Sequence, residues 1–305
     1  MNRITNRNYN IFLPFFSIVI INHTLLKTSR ILIFGLVVLS FAGCRNKNLV
    51  RPGDSVSVAF EKGQKLYDKG AYGDAAEAFE TVTRQGRETD LAAEAQYLLA
   101  ESYYKRGLFL LSASEYERFI LFYPQDDRTT EIEFKQALSY YKQSPRYKLD
   151  QSTTRKAIEL FQLFNSKHPD SEFVTESANK IDELRSKLAQ KNYEAASFYY
   201  RIESYEAASI YFNLTIDQYP ESEWAELALV KQIHVFVDYA SNSIEEKQRE
   251  RYTKAVEAYE KFLQLFPESS MREEAEIYKD MADKGLSNLS ESSELLGEAG
   301  NTGDR

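Results

Sequence analysis

The sequence predicts an all-α chain, a solenoid of about five helix pairs, and three observations lead there. Glycine and proline are sparse, at 12 and 7 in 305 residues, which argues against many tight turns and for long helices. Four dipeptides of one kind recur: Tyr123-Pro124, His168-Pro169, Tyr219-Pro220 and Phe266-Pro267. Ahead of each proline, the same order of small, aromatic and large residues returns in a single phase. Length alone suggests about two domains, but repeat arrays grow along one axis and escape that guide.

The phase is read backwards from each proline. Twelve residues upstream stand Ser112, Ala157, Ala208 and Ala255, and eight upstream stand Tyr116, Phe161, Phe212 and Tyr259. Five upstream are Phe119, Phe164, Thr215 and Phe262. Small and aromatic residues four apart share one helical face, so a neighbouring helix approaches the small one and the ring fills the space beside it. Proline then ends the helix, because the residue before it is pushed out of the αR region.

Taken in chain order, unit one lacks the proline but keeps Ala75, Phe79 and Val82 after Gly70-x-Tyr72. Unit two, residues 93–126, places the amphipathic segment EAQYLLAESYYKRG (94–107) before its phased helix, with Leu99, Ala100 and Tyr103 toward the partner. It matches the tetratricopeptide repeat of about 34 residues without insertions. The prolines at 124, 169, 220 and 267 are 45, 51 and 47 residues apart. The third and fifth units are therefore expected to be enlarged, by KQSPRYKLDQST (142–153) and YASNSIEEKQRER (239–251). The expectation is a tetratricopeptide-like α-solenoid over residues 59–284, each pair burying its apolar side against its neighbours.

The formal charge is −8. Residues 1–43 contribute Arg3, Arg7, Lys27 and Arg30 and no acid, so the remainder carries −8 − 4 = −12. An acidic body of that kind repels phosphate backbones, which argues against nucleic acid as a partner.

One cysteine, Cys44, excludes internal disulfides. It follows Lys27, Arg30 and the apolar run ILIFGLVVLSF (31–41), with Ala42 and Gly43 between. A basic flank, an apolar segment and small residues before a cut describe a signal peptide over residues 1–43. Ala-Gly-Cys resembles the lipobox of bacterial lipoproteins, with Phe41 where leucine is usual. The resemblance implies cleavage after Gly43 and covalent diacylglycerol and N-acyl lipid on Cys44; no other cofactor and no metal is expected. The alternative is an incidental cysteine beside a transmembrane anchor. A second apolar run, IFLPFFSIVII (11–21), lies upstream; it reflects either a start placed too early or an extended exported chain. Residues 44–58 read as a lipidated tether around Pro52-Gly53, and residues 285–305 as a disordered acidic tail.

The chemistry of catalysis is absent from the pattern. His23, His168 and His234 are scattered, and there is no HExxH, GxSxG, phosphate loop or paired metal spacing. A non-enzyme is expected. Glu245, Glu246 and Glu250 read as a solvated face, and His168 as the large residue closing a helix end.

In tetratricopeptide arrays the second, fifth, ninth, twelfth and thirteenth positions of each first helix face the concave side. Carried onto this chain, unit one offers Phe60, Gln64 and Tyr67. Unit two offers Glu94, Tyr97, Glu101, Tyr104 and Lys105, and unit four Tyr193, Ser197, Tyr200 and Arg201. Aromatics at the fifth and twelfth positions would line a groove able to grip an extended peptide, the alternative being rings buried by curvature.

A lipobox, a short tether and five such units with longer third and fifth members together resemble the BamD family of outer-membrane lipoproteins. FEKGQKLYDKGAYGDAAEAFE (60–80), SPRYKLDQSTTRKAIELFQLFNSKHPDSEF (144–173) and LRSKLAQKNYEAASFYYRIESYEAASIYFNLTIDQYPESE (184–223) carry the resemblance, which covers about residues 59–240. It implies a lipid-anchored protein on the periplasmic face of the outer membrane, within the β-barrel assembly machine. Its partners would be a BamA-like barrel protein, other subunits of the machine, and unfolded outer-membrane proteins recognised by their C-terminal signals. Arg45, rather than Asp, follows the cysteine, so the common inner-membrane retention signal is missing. Competing readings are a tetratricopeptide adaptor lipoprotein for cell-wall or Tol-system proteins, a SusD-like glycan-binding lipoprotein, and an accessory hydrolase.

Overall fold

A computed structural model of the chain describes residues 49–51 and 53–301, with side chains to residue 292. Cys44, the signal segment and the first part of the tether lie outside the described residues. The described residues from Val50 onward form one compact unit. All its regular elements, among the described residues, are α-helices: α1 (Val56–Asp68), α2 (Tyr72–Gln85), α3 (Ala92–Lys105), α4 (Phe109–Phe122), α5 (Thr129–Gln143), α6 (Ser152–Lys167), α7 (Val174–Arg201), α8 (Tyr205–Gln218), α9 (Glu223–Ser241), α10 (Glu245–Leu265) and α11 (Arg272–Asn301). Each packs on the next, which gives five hairpins and a closing helix. No helix among the described residues is long and apolar enough to cross a membrane.

The phased residues are the core. Ala75, Phe79 and Val82, Ser112, Tyr116 and Phe119, and Ala157 and Phe161 are fully buried. So are Ala208, Thr215, Ala255 and Phe262. The small residue admits the adjoining helix and the ring beside it removes apolar area from water, at about 25 cal/mol per Å². Each second helix then ends alike. The N–H groups of Tyr123, His168, Tyr219 and Phe266 donate to Phe119, Phe164, Thr215 and Phe262, four residues back, before the proline. Gly86 takes that place in unit one, where a Cβ would meet Val56 Cγ1 at 2.5 Å.

The hairpin turns repeat as well. Gly70 and Gly107, both at φ 74°, close α1 and α3, and Glu203 at φ 59° closes α7. Their N–H groups donate to Tyr67, Tyr104 and Tyr200, and the following N–H groups return to Leu66, Tyr103 and Tyr199. Glycine suits this left-handed position; glutamate there is strained.

Several expected boundaries change. The solenoid starts at Val56, capped by Ser55 accepting from the Val58 N–H, so helix replaces the last residues of the tether. Unit three is enlarged by a loop, residues 144–151, pinned by buried Gln151 donating to the Arg146 and Leu149 carbonyls at 2.9 and 3.1 Å. Unit five is enlarged by helix, since α9 has 19 residues and α10 has 21. Unit four is larger than expected, because α7 runs for 28 residues. Of the expected disordered tail, residues 285–301 instead continue α11 to Asn301, and residues 302–305 lie outside the described residues. Gly285 is a point of close approach there: a Cβ would lie 2.4 Å from the Tyr252 ring. Leu286 and Leu289 then pack on the core formed with α9 and α10.

The first helices of consecutive hairpins touch directly at α5–α7, α7–α9 and α9–α11, while no comparable contact joins two second helices. From unit three onward the array therefore curves with its first helices inside.

Candidate functional site

The inner face carries the sequence-predicted residues of unit two and joins them to residues of unit three. Tyr97 on α3 is half-buried, with the Arg128 guanidinium 5.1 Å and the Lys135 ammonium 4.9 Å from its ring centroid. A cation near an aromatic face gains about 0.5–2 kcal/mol depending on exposure. Lys135 also donates to the Tyr97 hydroxyl and to Glu101, both at 2.8 Å. It pairs with Glu131 at 3.0 Å. Burial opposes its charge, yet the hydrogen bonds it donates to Glu101 and Tyr97 outweigh that and hold the ammonium above the usual lysine range.

Glu101 is 8% exposed and accepts a second hydrogen bond from the hydroxyl of fully buried Tyr116. Glu94 accepts from Arg128, which is itself held by Asp126 at 2.9 Å. Tyr67 lies edge-on to Tyr72 at 5.2 Å, and burial pushes its phenol up to about 12. Glu101, Tyr97 and Lys135 all act on that phenol, so α1 shares the same face. Tyr104 sits edge-on to Phe109 at 5.4 Å; its phenol is raised by burial first and by Glu101 second. A cavity of about 660 Å³ opens alongside, lined in part by Arg128, Glu131, Lys167, His168 and Phe173. Its wall includes His168, whose Nε2 is 2.7 Å from Glu133.

Not every predicted residue joins this face. Phe60 is only 7% exposed and packs on Phe79 at 5.9 Å, so it belongs to the core of unit one and not to a groove. Gln64 and Lys105 are exposed. In unit four, Tyr193 packs on Phe212 and Trp224 at 5.6 and 5.2 Å, and Arg201 stands over Phe198. Tyr200 enters a separate inner cluster instead. It donates to Asp238 and lies 5.6 Å from His234, whose ring stacks on Tyr278 at 4.2 Å and 6°. Burial holds the His234 imidazole below its ordinary value.

Sequence reading missed Arg128, Glu131 and Lys135. They stand 34 residues after Glu94, Tyr97 and Glu101, so the concave positions carried one repeat further would have found them. The described residues include no group of His, Cys, Asp or Glu able to hold a metal ion.

The model of the YfiO family, outer membrane lipoproteins, matches residues 52–249, the stretch that supplies both inner clusters except Tyr278. The chain belongs to the YfiO family, the family of BamD. A tetratricopeptide repeat model also matches residues 243–269, which contain α10. Similar proteins include the outer membrane protein assembly factor BamD of Caulobacter vibrioides, 23% identical over 68% of this chain and 69% of that one. BamD of Rickettsia prowazekii is 26% identical over 68% of this chain and 82% of its own, and the putative BamD of Aquifex aeolicus is 26% identical over 76% and 82%. Among solved structures, a Bacteroides fragilis tetratricopeptide repeat protein covers 75% of this chain and 98% of its own at 12% identity, with a TM-score of 0.42. Family membership places this tetratricopeptide-like α-solenoid in outer membrane protein assembly and associates it with the outer membrane.

Proposed function

We propose that this protein is a non-enzymatic receptor of the β-barrel assembly machine, anchored to the periplasmic face of the outer membrane by acyl chains on Cys44. The inner face of units one to three holds the C-terminal signal of an unfolded outer-membrane protein. The later units hold the periplasmic part of a BamA-like barrel protein, with the Tyr200 cluster and α11 as the nearest surface. One observation carries the first assignment. Tyr97 is fixed by two cations from unit three, with Tyr67 and Tyr104 beside it, so aromatic surface is presented in a settled geometry. Such rigid rings lose little entropy when an extended segment lays alternate apolar side chains against them.

The experiment is site-specific photocrosslinking in membranes, with a photoreactive residue replacing Tyr104 in one protein and Tyr200 in another. The expected adducts are an unfolded outer-membrane protein from position 104 and a barrel-assembly subunit from position 200. Position 104 yielding no outer-membrane-protein adduct, while its protein remains folded and assembled, would remove the receptor reading.

A further inference from the structure

The second-helix side of units one and two carries a feature that the inner face does not explain. A cavity of about 420 Å³ lies between α2 and α4, lined by Arg84, Arg87, Arg118, Phe122, Tyr123 and Glu80 among others. Three guanidiniums against the carboxylates of Glu80 and of Glu115, the partner of Arg118, leave this spot with a local charge of 3 − 2 = +1, on a chain whose net charge beyond residue 43 is −8 − 4 = −12. Arg118 pairs with Glu115 at 3.3 Å, whereas no ion pair engages Arg84 or Arg87 among the described residues. Arg87 lies instead over the Phe122 ring at 5.3 Å. Phe122 is 49% exposed and Leu121 beside it 70%, so apolar surface adjoins the unpaired cations.

The cavity is also close to where the chain enters the solenoid. The virtual Cβ of Gly86 meets Val56, so the backbone next to Arg87 abuts the first residue of α1. From Cys44 to Val56 is twelve residues (56 − 44), a reach of at most about 40 Å. We propose that the arginine cavity between α2 and α4 seats the phosphate of an anionic phospholipid headgroup, with Leu121 and Phe122 against the interface. This turns the outer side of units one and two toward the leaflet. The placement of that leaflet rests on the lipid-anchor reading; the binding chemistry does not. Guanidinium matches phosphate by charge and by forked donor geometry, and aromatic and leucine side chains favour the interfacial zone.

The test uses the chain from Arg45 to its end, which lacks Cys44 and keeps the compact unit that begins at Val50. Vesicle flotation compares pure phosphatidylcholine with phosphatidylcholine containing about one-third phosphatidylglycerol. Binding to the anionic vesicles alone is expected, with Arg84→Gln/Arg87→Gln weakening it roughly 10- to 30-fold. Lys254→Gln/Lys261→Gln, which removes two cations at the other end of the solenoid, leaves it unchanged. Equal binding to both vesicles, or an undiminished arginine double variant, overturns the proposal. Complete displacement by millimolar inorganic phosphate makes the cavity a free-anion site, and displacement by an equal charge of polyglutamate makes it a protein-docking site; either result also overturns it. Because Cys44 is absent here, failure leaves the acyl anchor untouched. The fate of Cys44→Ser in membranes, in turn, leaves the cavity's chemistry untouched.

Discussion

Lys135 on α5 donates to Glu101 on α3 at 2.8 Å, and the two residues stand 34 positions apart. Arg128 and Glu94 are joined across the same interval. Equivalent positions of consecutive repeats thus carry opposite charges, and stacking the repeats brings each pair together. The carboxylates become partners for cations that also flank Tyr97, so the packing of units two and three and the shape of the inner face depend on one network.

Lys135→Met is expected to destabilise the protein by about 1–3 kcal/mol, because buried Glu101 keeps Tyr116 as a donor but loses its cation. Urea denaturation measures this. Adding Glu101→Gln to the same chain should recover part of the loss, since a neutral group no longer needs the charge. A Lys135→Met protein as stable as the parent would show the network to be decorative.

Tyr97→Ala with Tyr104→Ala should weaken binding of a C-terminal peptide from an outer-membrane protein by about 2 kcal/mol or more. Titration calorimetry on the folded double variant checks it. An unchanged affinity means the peptide is held elsewhere.

Alkaline pH should loosen the fold between about pH 10 and 12. Burial raises the phenols of Tyr67 and Tyr278 to about 12, and a hydrogen bond to Glu183 followed by burial does so for Tyr141, against 10.0 for the free side chain. The folded pKa lies above the unfolded one in each case. The associated stability is therefore intact below pH 10 and is lost as pH climbs through the folded values. Ultraviolet titration of phenolate should show late-ionising tyrosines in the folded chain that titrate normally in urea.

Glu203→Gly should raise stability by about 0.5–1 kcal/mol, since Glu203 holds φ 59° where Gly70 and Gly107 hold 74°. Relief of left-handed strain exceeds the extra freedom that glycine gains on unfolding. Thermal unfolding reads the sign, and a lowered midpoint would mean that the glutamate side chain contributes more than its backbone costs.

Cys44→Ser is expected to leave the helical signal and thermal midpoint unchanged while releasing the processed chain from membranes. Fractionation after confirmed cleavage of the signal measures this; persistence in the membrane pellet through sodium carbonate washing counts against an acyl anchor.

The legibility of this chain divides along physical lines. Ser112, Tyr116 and Phe119 could be assigned to the core from spacing, because one helical face has one period. Phe60 could not be told from a groove residue, since the same position faces outward or inward according to how far α1 rotates on α2. The repeat position of Glu101 predicts groove surface, yet the side chain is buried against Tyr116 and Lys135. Composition misled at Gly285, where an apparent helix breaker is the contact that admits the Tyr252 ring.

Local sequence by itself determined that the chain is helical, where the second helices of units two to five stop and which faces of those helices are buried, since all three depend on periodicity and on proline. Tertiary structure decided the length of α7, the closing role of α11, and which cations meet Tyr97. Those outcomes come from neighbouring repeats pressing together, and contacts between residues 34 apart have no energy until the stack exists.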